Sequence, residues 1–196
     1  MKYLFLSPHT DDAELGCGAT MARLAEGGHT VIVIAFSWCN NEGLIKEYKD
    51  SCRSIGVNIR NYHDFTVRKF SEERQQILDS MISMRDQINP DVVFIPSSND
   101  FHQDHKVIYE EGIRAFKHST IYCYELPWNN LSFNATAFFK VTGDQLQKKV
   151  EALMKYESQK HRNYMNADFV KSLAKVRGVQ AGYEYAEAFE VKRLIQ

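Results

Sequence analysis

The chain has 196 residues, 44% of them hydrophobic and 25% charged, with a formal net charge of −1, the make-up of a single globular domain, residues 1–196, with one sizeable core. Lysines and arginines are interspersed with acids, so no basic face points to nucleic acid or an anionic membrane as a partner. The four cysteines (Cys17, Cys39, Cys52, Cys123) form no C-x-x-C pair, which argues against a disulfide framework or a cysteine zinc site, and no apolar run has signal-peptide or membrane-spanning length; a cytoplasmic location is expected.

Residues 2–6 read as a short buried strand. Residues 13–26 read as a helix stopped by Gly27 and Gly28. Residues 30–36 (Thr-Val-Ile-Val-Ile-Ala-Phe) form the β-branched apolar run of an interior parallel strand, and residues 37–43 are a polar loop. Helix follows over 44–55, then a weaker strand over 57–62. Residues 71–88 read as a helix with Ser71 as N-cap and Glu73 and Arg74 in its first turn. Asn89-Pro90 breaks it, and residues 91–96 give the next strand. A helix from His105 to Phe116 and a strand over 121–125 come next. After Pro127 the pattern changes to a meander over 136–142, a helix over 144–157, a helix over 168–177, a loop over 178–182 and a final strand over 186–192. Gly16-Cys17-Gly18 lacks the third glycine of a dinucleotide fingerprint and falls inside a helix, where small residues allow close packing on a sheet.

Strands alternating with helices imply right-handed crossovers and a mostly parallel sheet in a Rossmann-like, three-layer α/β fold. In the common strand order 3-2-1-4, strands one and four flank the topological switch point, and ligands bind at the carboxyl ends of such strands. Each of those two strands hands over to a cluster of imidazole and carboxylate: Ser7-Pro8-His9-Thr10-Asp11-Asp12-Ala13-Glu14 and His102-Gln103-Asp104-His105. His9 and Asp12, three residues apart on a turn, suit zinc, with iron(II) or another divalent transition ion open to the same donors. The bland reading is a helix cap, Asp11 or Asp12 with Glu14 completing a capping box. Two clusters converging on one crevice favour a metal site with an open position for water.

These motifs resemble those of the LmbE-like, or PIG-L-like, zinc-dependent N-deacetylases. The family's Ala/Pro-His-Pro-Asp-Asp appears here as Pro8-His9-Thr10-Asp11-Asp12, and its His-Pro-Asp-His as His102-Gln103-Asp104-His105. Ser158-Gln159, Arg177-Gly178 and residues 185–189 (Tyr-Ala-Glu-Ala-Phe) fit the family's later segments. Thr10 and Gln103 replace prolines, which touches loop rigidity more than ligand chemistry. The resemblance implies that His9, Asp12 and His105 bind zinc and that Asp11 takes the proton of the attacking water. It also implies that His102 stabilises the tetrahedral oxyanion as an imidazolium, held in place by Asp104. The implied reaction is removal of an N-acetyl group from an amino-sugar derivative. Arg68, after the third strand, can grip a hydroxyl pair or a phosphate, and Trp128 can stack on a sugar ring, although a core tryptophan is an equal reading. The alternatives are a metal amidase for another small N-acyl or cysteine-conjugate substrate, and a non-catalytic sugar- or nucleotide-binding module. The resemblance is compatible with a homo-oligomer.

Overall fold

The computed structural model describes residues 1–195, with residues 58–62 as backbone alone. Seven strands form one sheet: β1 (Lys2–His9), β2 (Thr30–Ser37), β3 (Asn58–Tyr62), β4 (Val92–Pro96), β5 (Thr120–Tyr124), β6 (Ala137–Val141) and β7 (Tyr185–Arg193). Their order is β3-β2-β1-β4-β5-β7-β6. The first five are parallel neighbours, while β7 runs antiparallel between β5 and β6. The expected 3-2-1-4 order is therefore present, whereas the stretch read as a meander over 136–142 is a single strand, β6, paired antiparallel with β7 from beyond α5 and α6.

The helices are α1 (Asp12–Glu26), α2 (Glu42–Ile55), α3 (Arg74–Ile88), α4 (Gln103–Ala115), α5 (Gly143–Leu153) and α6 (Ala167–Gln180). Because crossover helices cover both faces of the sheet, successive strand residues are apolar and alternate between two cores. In β1, Tyr3 and Phe5 pack in one cluster with residues of α1, α2, α5 and α6, whereas Leu4 and Leu6 pack in the other with residues of α3 and α4. Among the described residues no helix is long and apolar enough to cross a membrane.

Among the boundaries that differ from the sequence pattern, three have a local reason. β1 runs three residues past its apolar stretch because its ladder with β2 continues to His9 opposite Ser37. α3 starts at Arg74 rather than Ser71: the backbone N–H groups of Glu72 and Glu73 close a tight turn on the Lys69 carbonyl, over the buried Phe70. α4 starts at Gln103, two residues early, because the His102 side chain serves as its N-cap, Nδ1 accepting the Asp104 backbone N–H at 3.2 Å. α6 also continues through Gly178 to Gln180, where a loop was expected.

Candidate metal centre and its cleft

The turn from β1 into α1 is built by Ser7, whose hydroxyl donates to the His9 carbonyl and accepts the Ala13 backbone N–H. That N–H is one of the donors a helix start leaves without an intrahelical partner. Asp12 is therefore free of capping work. Its Oδ2 accepts the His9 backbone N–H at 2.8 Å and lies 3.2 Å from both His9 Nδ1 and His105 Nε2. Asp11 makes no side-chain cap bond either, and Glu14 turns inward to Tyr156, Ser51 and Cys52. The capping-box reading of these acids does not hold.

The second cluster meets the first across the β1–β4 boundary. His105 Nε2 is 3.3 Å from His9 Nδ1, so these two nitrogens and the Asp12 oxygen form a nearly equilateral triangle. The far nitrogens are each held by a carboxylate: His9 Nε2 by Asp104 at 3.1 Å, His105 Nδ1 by Asp100 at 2.6 Å. An ionised carboxylate only accepts, so those far nitrogens carry protons, and once the near nitrogens give up theirs to an ion their lone pairs face the position beside Asp12. Donors about 2.0–2.1 Å from a tetrahedral ion stand about 3.3–3.4 Å apart. The residues thus fit a small divalent cation. Nitrogens of His9, His102 and His105 also lie within 4.8 Å of one another, so His102 borders the same centre.

The electrostatics agree. Burial opposes charge on His9 and His105, yet the neighbouring carboxylates outweigh it and push them up to about 9 and about 10. Without an ion, the cluster takes up protons in its place. Burial likewise opposes the Asp12 charge, but the two imidazoles hold its carboxyl well below the usual range. Asp11, buried beside Asp12, is pushed up to about 6. His102 is half-buried, and burial followed by the His105 and His9 charges holds it below the ordinary histidine value. The imidazolium expected for it is therefore not its resting form. With Nδ1 accepting from the backbone, the neutral ring keeps its proton on Nε2. Asp104 is also placed differently from expectation: its carboxylate binds His9 and, at 2.7 Å, the Arg68 backbone N–H, and its link to His102 is through the backbone.

The centre forms the floor of a cleft of about 350 Å³, a size at the small end for ligand sites. Arg68 lies on its wall with a left-handed φ of 67°. Its backbone is pinned on both sides, the N–H by Asp104 and the carbonyl by the Gln103 amide, so the residue standing where a proline was expected ties this loop to α4. Trp128 also lines the cleft, but one indole face is already stacked on Tyr164 at 3.8 Å between centroids, 6° from parallel. Asp100 was missed in the sequence, although its place two residues before His102 and five before His105 was a usable signal. Gln159 was noted only as part of the Ser158-Gln159 segment, and Arg162 and Tyr164, which carry no local pattern, were missed as cleft residues.

A doubly wound sheet with an imidazole–carboxylate centre at its switch point is the plan of a metal-site α/β enzyme. The chain belongs to the PIG-L (LmbE-like) deacetylase family: the family profile described as GlcNAc-PI de-N-acetylase matches residues 4–116. A relative from Escherichia coli K12, named uncharacterized deacetylase YaiS, is 32% identical over 168 residues, 79% of this chain and 90% of that protein. The conserved protein TT1542 from Thermus thermophilus has the same fold, with a TM-score of 0.82 at 22% identity over 100% of this chain and 96% of that one. N,N'-diacetylchitobiose deacetylase from Pyrococcus horikoshii matches with a TM-score of 0.79 at 21% identity, over 97% and 83% of the two chains.

Proposed function

We propose that this enzyme is a metal-dependent hydrolase that removes an N-acetyl group from a small amino-sugar derivative. The observation that carries the reading is the convergence of the His9, Asp12 and His105 donor atoms at 3.2–3.3 Å, with the partner nitrogens fixed by Asp104 and Asp100. These three residues would hold zinc, iron(II) or another divalent transition ion, which supplies a lowered water pKa and Lewis acidity toward the acyl oxygen.

The remaining steps belong to this chain's own side chains. Asp11, pushed up to about 6 by burial and by Asp12, is a base matched to neutral pH and takes the proton of the attacking water. Water oxygen bonds to the acyl carbon, and the developing oxyanion accepts the Nε2–H of neutral His102. A neutral donor avoids transferring a full charge into a centre already holding a cation. Collapse breaks the C–N bond, Asp11 returns its proton to the amine, and acetate and the free amine leave. The amino-sugar assignment draws on the name of the diacetylchitobiose deacetylase, and Arg68 and Trp128 are its proposed contacts.

The test combines metal content with acetate release from a panel of N-acetyl sugars. Wild-type protein should carry about one equivalent of divalent metal, as one tetrahedral site requires, and should lose acetate release on chelation. The His9→Ala/His105→Ala double variant should bind none. Acetate release that survives complete metal removal would overturn the proposal.

A further inference from the structure

The cleft floor is acidic and imidazole-rich, but its mouth is not. Of the side chains lining it, Arg68 and Arg162 carry permanent positive charge. Among the described residues, neither guanidinium has a carboxylate within ion-pair distance, whereas Arg53, Arg74, Arg85, Arg114 and Arg177 each do, and Arg23 and Arg193, which also lack one, donate to backbone carbonyls.

Arg162 is also held still. Its Nε–H donates to Gln159 Oε1 at 2.6 Å, an Nη1–H donates to the Tyr164 hydroxyl at 2.5 Å, and its guanidinium carbon lies 5.7 Å from the Tyr164 ring centroid. Tyr164 in turn stacks on Trp128, backed by Phe169 at 6.0 Å. The other Arg162 N–H groups make no hydrogen bond among the described residues. This is costly to arrange on an exposed arginine with no structural acid to satisfy, because ordering such a side chain forfeits rotamer entropy. A fixed guanidinium with spare donors is suited to a planar or tetrahedral anion, which it binds in fork geometry. A hydroxyl-rich neutral sugar, which donates as well as accepts, gains less from a group that only donates.

We infer that Arg162, with Gln159 and Tyr164 as its supports, is a specificity-determining residue that binds an anionic group, phosphate or carboxylate, on the substrate portion away from the scissile N-acetyl. This rests on the deacetylase reading above. The family profile ends at residue 116, so Arg162 and its supports belong to the part of the chain outside that match. Arg162 lines the same cleft as Asp11. A substrate reaching from Asp11 to Arg162 would neutralise the mouth while leaving the floor to the amide.

The test compares N-acetylglucosamine 1-phosphate, carboxymethyl N-acetylglucosaminide and neutral methyl N-acetylglucosaminide on metal-loaded wild-type protein and on Arg162→Gln and Arg162→Lys. Wild type should show a charged-over-neutral ratio of kcat/KM of about tenfold or more, the scale of charge-assisted hydrogen bonds. That ratio should fall most of the way to one in Arg162→Gln, chiefly through KM, with Arg162→Lys between. Whichever charged probe is preferred identifies phosphate or carboxylate. A ratio equal in wild type and Arg162→Gln, or a loss common to charged and neutral probes, overturns the inference and leaves the deacetylase reading standing. Calorimetric binding of glucosamine 1-phosphate to wild type but not to Arg162→Gln, with no acetate released from any probe, would instead support the anion site and remove the deacetylase reading.

Discussion

At the scale of single residues, the centre is a problem of where protons sit. Two imidazoles that are protonated above neutrality without an ion must shed those protons to ligate one. From their positions at about 9 and about 10, zinc binding at pH 7.5 should release about two protons per ion. Calorimetry in buffers of different ionisation enthalpy reads this directly; release near zero would mean the histidines are already neutral. Asp11→Asn tests the base separately. It preserves shape and leaves the three donor residues intact, so metal content should hold while turnover falls about 10²–10⁴-fold; a variant that instead loses its metal would make Asp11 a ligand. Six of these residues were legible because each cluster is contiguous in sequence, imidazole and carboxylate within a few positions on one loop. Arg162 was not, since it joins Asp11 in the cleft lining only in space and reads in sequence as one more charged residue of a polar stretch. Trp128 sits on the expected wall, but Tyr164, which covers one of its faces, lies 36 positions on.

At the scale of elements, nearly every strand and helix followed from apolar periodicity, and the misplaced ends lie where a polar group overrides it. The His102 cap moved the start of α4, and the ladder opposite Ser37 lengthened β1. Close approach was harder to foresee. A Cβ on Gly178 would stand 2.6 Å from the Glu184 carbonyl oxygen and 2.8 Å from Tyr185 Cα, both backbone atoms unable to swing aside, whereas a Cβ on Gly143 would meet nothing within 4 Å. Gly178→Ala should therefore destabilise by about 1–3 kcal/mol through overpacking at the α6–β7 contact. Gly143→Ala should be neutral within about 0.5 kcal/mol. Urea denaturation compares them; equal midpoints would show that α6 shifts at little cost. Gly16, where a Cβ would stand 2.5 Å from Tyr124 Cδ2, confirms the reading of small residues as packing devices.

At the scale of the molecule, a buried polar cluster joins distant parts of the chain. Glu14 Oε1 accepts the Tyr156 hydroxyl at 2.8 Å and Ser51 Oγ at 3.1 Å, while its Oε2 has no partner. Burial pushes this carboxyl from 4.5 up to about 7. A folded value above the unfolded one means the fold favours the protonated form. The contribution is full below about 4.5 and is lost as pH rises through about 7. Glu14→Gln, permanently neutral, should thus gain on wild type between pH 5 and pH 8, by a few degrees of Tm in metal-free protein. Scanning calorimetry at the two pH values checks this, and a difference that stays constant with pH would show that Glu14 is ionised throughout. No local signal revealed this cluster, whose members lie on α1, on α2 and beyond α5.

The antiparallel return of β7 also sets an order of events during synthesis. His9 to Asp12 and Asp100 to His105 leave the ribosome early, but the loop joining His9 to Asp11 waits for Tyr156, whose hydroxyl donates to the Thr10 carbonyl. α1 waits longer still, until Glu187 on β7 reaches the backbone N–H groups of Ala19 and Thr20. Until then β5 presents an unpaired edge, open to contact with other nascent chains. The residues proposed to carry the reaction are thus made first and braced last, so a truncated translation product would carry both motifs without the architecture that brings them together.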